Sequence, residues 1–232
     1  MKRLSIVIPC YNEEKNIPEL MKRINNLKSY SSLIFIIVNN GSTDNTSYEL
    51  SSYESYKNIK VIDVPENKGY GYGIIAGLKA ADTDFIGWTH ADLQTDPKDV
   101  ILAIDLLNKH EEIFVKGKRY GRPILDTIFT IGMSFFETIL LKKGLWDINA
   151  QPTIFPKKFF DDWEDPPYDF SLDLFAYYFA KNKKLSIYRI PVLFSSRLHG
   201  VSHWNFSLMS KFKFIKRTVL YSIKLKKKLN SL

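Results

Sequence analysis

A chain of 232 residues, 45% of them hydrophobic, is long enough to bury a full core and lies near the upper size of one α/β domain, so no second domain is required. A single cysteine excludes an internal disulfide, and with neither a repeat, a low-complexity linker nor a secretory signal peptide legible, a reducing compartment is expected. The net charge of +8 is concentrated: residues 206–232 hold eight cations and no acid, which leaves the body neutral and argues against nucleic-acid binding, where the charge sits on the folded surface.

Leu4-Ser5-Ile6-Val7-Ile8 reads as a strand running into the turn Pro9-Cys10-Tyr11-Asn12-Glu13-Glu14. No histidine is near Cys10 in sequence, so a small buried thiol is expected there rather than a nucleophile. Ile36-Ile37-Val38 leads into the loop Asn39-Asn40-Gly41-Ser42-Thr43-Asp44, and Ile59 to Val64 reads as a third strand. The segment Asn67-Lys68-Gly69-Tyr70-Gly71-Tyr72-Gly73 then opens a helix. Its glycines permit close backbone approach to phosphate, but a dinucleotide fingerprint follows the first strand of its fold; this loop is expected to line a nucleotide cleft, not an NAD site.

Residues 84–89 form a further apolar strand, followed by His90-Ala91-Asp92-Leu93-Gln94 and by Pro97, which suits the first turn of a helix. Loops at the carboxyl end of a central strand hold ligands in α/β proteins. Hard oxygens from Asp92 and Gln94, at i and i+2, can share one divalent cation bridging the phosphates of a nucleotide. The plainer alternative is a helix cap by Asp96 with the other polar groups solvated.

In the second half, Pro123 to Leu141 is long enough to raise the question of a membrane span, against which Asp126 and Glu137 argue. It is expected to be a helix lying across the domain, either partly interfacial or wholly internal. Asp169 and Asp173 begin an apolar helix and are the nearest candidates for a general base, although Asp169 equally fits an N-cap. The tail shows helical periodicity, with Leu208, Phe212, Ile215, Val219 and Ile223 on one face and lysines around the other. Such a basic amphipathic helix suggests peripheral docking on an anionic membrane; the alternative is a helix packed on the domain with a solvated lysine face.

These pieces, in this order, resemble the family 2 glycosyltransferases of GT-A fold, most closely the dolichol-phosphate-mannose-synthase-like branch. The matching segments are the Pro-x-Tyr-Asn-Glu turn at 9–13, the Gly41-Ser42 loop, the glycine segment and the acidic loop, then Gly117-Lys118-Arg119-Tyr120 and the Pro191 to Ser202 stretch. The resemblance implies a Rossmann-like α/β fold of three layers with a mostly parallel sheet, a nucleotide-sugar half over 1–118, an acceptor half over 119–205 and an appended helix over 206–232. It implies donor contacts from Pro9, Tyr11, Glu13, Asn40, Ser42, Asn67, Gly69, Ala91 and Asp92. A metal site at Asp92, Gln94 and His90 follows in the same way, with Arg119, Arg197 and Ser202 gripping phosphate oxygens.

The sequence departs from the family pattern in four places. His90 stands where the metal loop usually begins with Asp, and either ligates a transition metal or leaves coordination to Asp92 and Gln94. Asn39-Asn40 replaces the base-contacting acid. Leu145 to Pro152 takes the place of an Asp-x-x-Ser-Gly-Phe element, and the 123–141 helix lacks the acceptor-phosphate arginine of the mannose-synthase branch.

The function so implied is inverting transfer from a nucleotide-diphosphate sugar, with Mg²⁺ or Mn²⁺, to a polyprenyl phosphate or lipid-linked glycan in cell-surface polysaccharide or glycolipid synthesis. The enzyme would be cytoplasmic and peripheral at the inner face of the cell membrane, with homo-oligomerisation left open. Two alternatives stand beside it: transfer to a sugar hydroxyl with an Asp base, and a non-catalytic nucleotide or membrane-surface binding module in which His90 and Asn40 mark lost chemistry.

Overall fold

The computed structural model describes residues 2–200 and 208–230, with side chains in the last helix described over 215–227. Strand β1 (Leu4–Cys10) alternates strictly: Leu4, Ile6, Ile8 and Cys10 point to one side of the sheet and Val7 to the other. Strand β2 (Leu33–Asn40) does the same, with Leu33, Phe35 and Ile37 opposite Ile36 and Val38. Both faces are therefore apolar, as a strand covered on two sides requires.

The remaining strands are β3 (Ile59–Val64), β4 (Phe85–Trp88), β5 (Ile113–Tyr120), β6 (Thr153–Pro156) and β7 (Ser186–Leu193). They form one sheet in the order β3-β2-β1-β4-β6-β5-β7. All pairings are parallel except those of β6, which runs antiparallel to β4 and β5. Strand β4 is a residue shorter at each end than the pattern suggests. The mostly parallel α/β architecture is the expected one.

Helices α1 (Ile17–Asn25), α2 (Thr46–Ser51), α3 (Tyr70–Lys79), α4 (Ile101–Lys109), α5 (Ile124–Leu141), α6 (Lys157–Asp161), α7 (Leu172–Asn182) and α8 (Leu208–Asn230), with a 3-10 turn over Pro97–Val100 before α4, complete the described elements. Leu20, Met21 and Ile24 of α1 join Ala103 and Leu107 of α4 in one core layer. Ile74 and Leu78 of α3 join Leu172 and Phe175 of α7 in the other, beside Trp88 and Phe155. The chain leaves β1 toward β2 and β3, then returns to place β4 on the opposite side of β1. That reversal opens a crevice above the carboxyl ends of β1 and β4, where such sheets bind ligands.

Helix α5 lies at the periphery. Ser134, Glu137 and Leu141 are its buried residues, whereas Ile124, Leu125, Ile128, Phe135 and Ile139 are exposed. Helix α8 packs beside it with Ser222 and Leu225 buried, while Ile223 of the apolar stripe is 39% exposed. The Ser222 hydroxyl donates to Glu137 Oε1 at 2.7 Å. The side chains of Leu208 and Phe212 lie outside the described residues.

Candidate active site

A cleft of about 310 Å³ opens at the crevice. The end of β1 and the turn after it contribute Pro9, Tyr11 and Glu13, β2 contributes Asn40, and the loops after β3 and β4 contribute Asn67, His90, Ala91, Asp92 and Gln94. From the second half come Arg119, Arg122, Asp173, Phe194 and Arg197. Segments far apart in sequence thus converge because the strand ends of one sheet converge.

The loop after β4 is a tight turn. Leu93 takes a left-handed backbone (φ 58°), and the Gln94 amide donates to Asp92 Oδ1 at 3.2 Å. Ser195 N then donates to Gln94 O at 2.8 Å, binding this loop to the chain leaving β7. As a result Arg197 lies 2.9 Å from Asp92 Oδ2 and donates from Nε to Gln94 Oε1 at 3.2 Å. Two hard oxygens therefore converge on one cationic group. Among the described residues no cluster of three His, Cys, Asp or Glu side chains exists to cage a metal. A hard divalent cation that completes its shell with substrate phosphates and water fits this donor set. Asp96 caps the following turn, accepting from Lys98 N at 2.9 Å, and Asp99 reciprocates by accepting from Asp96 N at 3.3 Å.

His90 stacks on Tyr70 with ring centroids 5.6 Å apart. Burial lowers its pKa, against the opposing charges of Asp92 and Asp173. Asn40 lines the cleft and spends its amide donor on Gly69 O at 3.0 Å, leaving its buried Oδ1 without a hydrogen-bond partner. Glu13 accepts from Asn16 Nδ2 at 2.5 Å, and burial raises its pKa. Cys10 is buried, and burial pushes its thiol pKa up.

Arg119 is held by Asp147, which accepts from its Nε and from its backbone N at 2.9 Å each. Burial raises the Asp147 pKa, but the charge and hydrogen bonds of Arg119 outweigh it and leave the carboxyl below its usual range. The segment 145–152 thus serves as the counter-ion support of Arg119. Asp173 accepts from Gln151 Nε2 at 2.6 Å and lies 3.5 Å from Lys116 Nζ, which also donates to Ala150 O and Thr153 Oγ1 at 3.0 Å. Burial pulls Lys116 down to about 8.

Three expected site residues sit elsewhere. Asp169 does not line the cleft: its Oδ1 accepts from Ser171 N at 2.8 Å in the turn before α7, and its Oδ2 lies 3.4 Å from Arg217. Ser42 accepts from Asn12 N at 3.1 Å and shapes its own loop. Gly69 (φ 123°) backs onto the turn at 168, where a Cβ would stand 2.3 Å from the Tyr168 carbonyl oxygen; its freedom serves this backbone packing. Ser202 lies outside the described residues.

Sequence reasoning missed Arg122, Lys116 and Gln151. Arg122 sits one residue ahead of Pro123, donates to Thr130 Oγ1 at 2.7 Å and stacks on Phe194 at 5.3 Å. Lys116, 0% exposed directly after the apolar run Ile113-Phe114-Val115, carried the signal of an ion that must have a partner.

Residues 5–161 match the profile of glycosyl transferase family 2. The chain belongs to that family. It is 35% identical over 106 residues to the undecaprenyl-phosphate 4-deoxy-4-formamido-L-arabinose transferase of Proteus mirabilis, covering 43% of this chain and 32% of that protein. It is 31% identical over 118 residues to the dolichol-phosphate mannosyltransferase of Pyrococcus furiosus, covering 51% and 33%. The matches thus span about a third of the length of these curated relatives. Among solved structures, glucosyl-3-phosphoglycerate synthase from Mycobacterium tuberculosis, in complex with Mn²⁺, UDP and phosphoglyceric acid, superposes with a TM-score of 0.74 at 17% identity, covering 97% of this chain and 78% of that one. The family 2 match covers β1 through α6, and so includes the acidic loop, Arg119 and Arg122 but not Asp173 or Arg197.

Proposed function

We propose that this family 2 chain transfers a sugar, with inversion, from a nucleotide-diphosphate sugar to a lipid-linked acceptor at a membrane surface, using Mg²⁺ or Mn²⁺. The observation that carries this reading is the meeting of Asp92 and Gln94 with Arg197 at the switch point of the sheet. When bound, the divalent cation supplies charge neutralisation of the departing nucleoside diphosphate. Asp92 and Gln94 would hold it, with His90 beside them, and Arg197 would add a guanidinium for the phosphate oxygens of the donor. Asn40, Pro9, Tyr11, Glu13, Asn67 and Ala91 form the remaining donor wall.

The acceptor reading is a polyprenyl phosphate. Arg122 makes no ion pair among the described residues, in contrast to Arg119, whose charge Asp147 matches. It stands at the mouth of the cleft beside α5, whose exposed apolar side chains and the lysines of α8 suit an anionic membrane surface. Helix α5 meets the length and composition of a membrane-crossing helix; with Glu137 buried against α8 we assign it an in-plane position instead. A phosphate is already anionic and needs no general base. A sugar hydroxyl acceptor is the second reading, supported by Asp173 lining the cleft as the candidate base.

The purified full chain is to be given labelled nucleotide-diphosphate sugars, Mn²⁺, and either a polyprenyl phosphate or a lipid-linked sugar. Label entering the polyprenyl phosphate supports the first reading and label entering only the lipid-linked sugar the second. Absence of transfer and of donor hydrolysis with every donor would leave a binding module.

A further inference from the structure

We propose that Arg217 of α8 is a positioning residue for the cleft: it holds the Asp169–Phe170 turn so that Phe170 completes an aromatic wall with Tyr70 and His90. The inference rests on the reading that this cleft takes a nucleoside diphosphate. Phe170 and Tyr70 stack with centroids 4.5 Å apart and an interplanar angle of 13°, and Tyr70 in turn stacks on His90 at 5.6 Å. All three rings line the cleft. The guanidinium of Arg217 lies 5.4 Å from the Phe170 centroid while its Nε stands 3.4 Å from Asp169 Oδ2. One side chain therefore grips two consecutive residues of the turn, one by its ring and one by its carboxylate.

The upstream part of the turn has its own anchor, since Tyr72 N donates to Tyr168 O at 3.1 Å. Phe170 lies beyond that bond. Helix α8 is itself seated by Ser222 on Glu137 and by buried Leu225, so Arg217 projects from a fixed support. The basic tail, which the sequence presents as a membrane appendage, reaches the wall of the site. Its removal is then expected to weaken nucleotide binding as well as membrane binding.

The test uses the full chain. In proton NMR at one fixed pH, the imidazole resonance of His90, identified by its loss in His90→Asn, senses the ring currents of the stack. Arg217→Ala and Phe170→Leu should each move it, Arg217→Lys should move it less, and the resonance of His110, packed on Tyr188 at the far side, should stay in place. Calorimetry with UDP and Mn²⁺ should give affinity about three- to tenfold lower for Arg217→Ala, partly restored in Arg217→Lys, as expected for loss of contacts of this strength. An unmoved His90 resonance together with unchanged UDP affinity would overturn the inference, and so would a shift of His110 as well, which would mean general loosening. If the parent protein binds no nucleoside diphosphate, the reading of the cleft fails and the His90 resonance alone decides the role of Arg217.

Discussion

Arg197 and Asp92 form an ion pair of 2.9 Å across the mouth of the cleft, joining the chain after β7 to the loop after β4. On the proposed reading, a divalent cation held by Asp92 would compete with the guanidinium for its carboxylate. Asp92→Asn removes the charge that a cation needs, while a loop side chain contributes little to the core. Most Mn²⁺-dependent binding of nucleoside diphosphate should be lost with the fold retained. Calorimetry with and without Mn²⁺ decides it; equal affinity in mutant and parent removes Asp92 from the metal site. His90→Asp should shift preference from Mn²⁺ toward Mg²⁺ if the imidazole is a ligand.

Arg122 separates acceptor from donor binding. Charge-assisted hydrogen bonds are worth about 1.5–3 kcal/mol, so Arg122→Ala should raise KM for a polyprenyl phosphate by about ten- to a hundredfold. Affinity for the nucleotide should change far less. Steady-state kinetics with the acceptor varied is the measurement, and an unchanged acceptor KM argues for an acceptor bound elsewhere.

Lys116 and Asp173 make a buried pair whose side chains are 0% and 2% exposed. Removing one partner strands the other: Asp173→Asn should destabilise by about 3–5 kcal/mol, and adding Lys116→Met should recover much of that. Urea denaturation of the two single variants and the double variant supplies the cycle. Additive losses would show that the two groups are not coupled.

Glu137 makes the pH dependence of stability specific. Burial raises its pKa from 4.5 to about 7, against the opposing Ser222 hydrogen bond. Because the folded-state value lies above the unfolded one, the native state holds the extra proton. Its stabilising share is full below pH 4.5 and is lost as pH rises through about 7. Asp99, raised from 3.8 to about 6 by burial, slopes the same way. Glu137→Gln should therefore flatten the decline between pH 5 and 7.5 only in part, by ~3 kcal/mol at most. Melting curves across that range test it, and an unaltered slope places the carboxylate in water.

Membrane contact predicts that the protein floats with anionic vesicles at low salt. Each cation near such a surface contributes about 1 kcal/mol, and salt screens it. Ile128→Ser with Phe135→Ser, both on the exposed face of α5, should weaken flotation while nucleotide affinity persists. Flotation equal to the parent would leave binding to the lysines of α8 alone.

The first four strands, the order of the motifs and the acidic loop are legible locally, because an apolar run and a turn that ends it depend on neighbours in sequence. The same holds for the Asp96 cap, which needs only the next turn. Local pattern also suffices for the concentration of charge in the tail. It cannot say what each charge meets. Arg119 and Arg197 look alike in sequence, yet one is matched by Asp147 and the other by Asp92, because partners 28 and 105 positions away are delivered by the sheet. Arg122 and Lys116 acquire roles in the same way, and Asp169 and Asp173, four residues apart, diverge because one faces α8 and the other the cleft. The contact of Ser222 on α8 with Glu137 on α5 is likewise a product of the fold, since a buried carboxylate demands a donor wherever the fold places it.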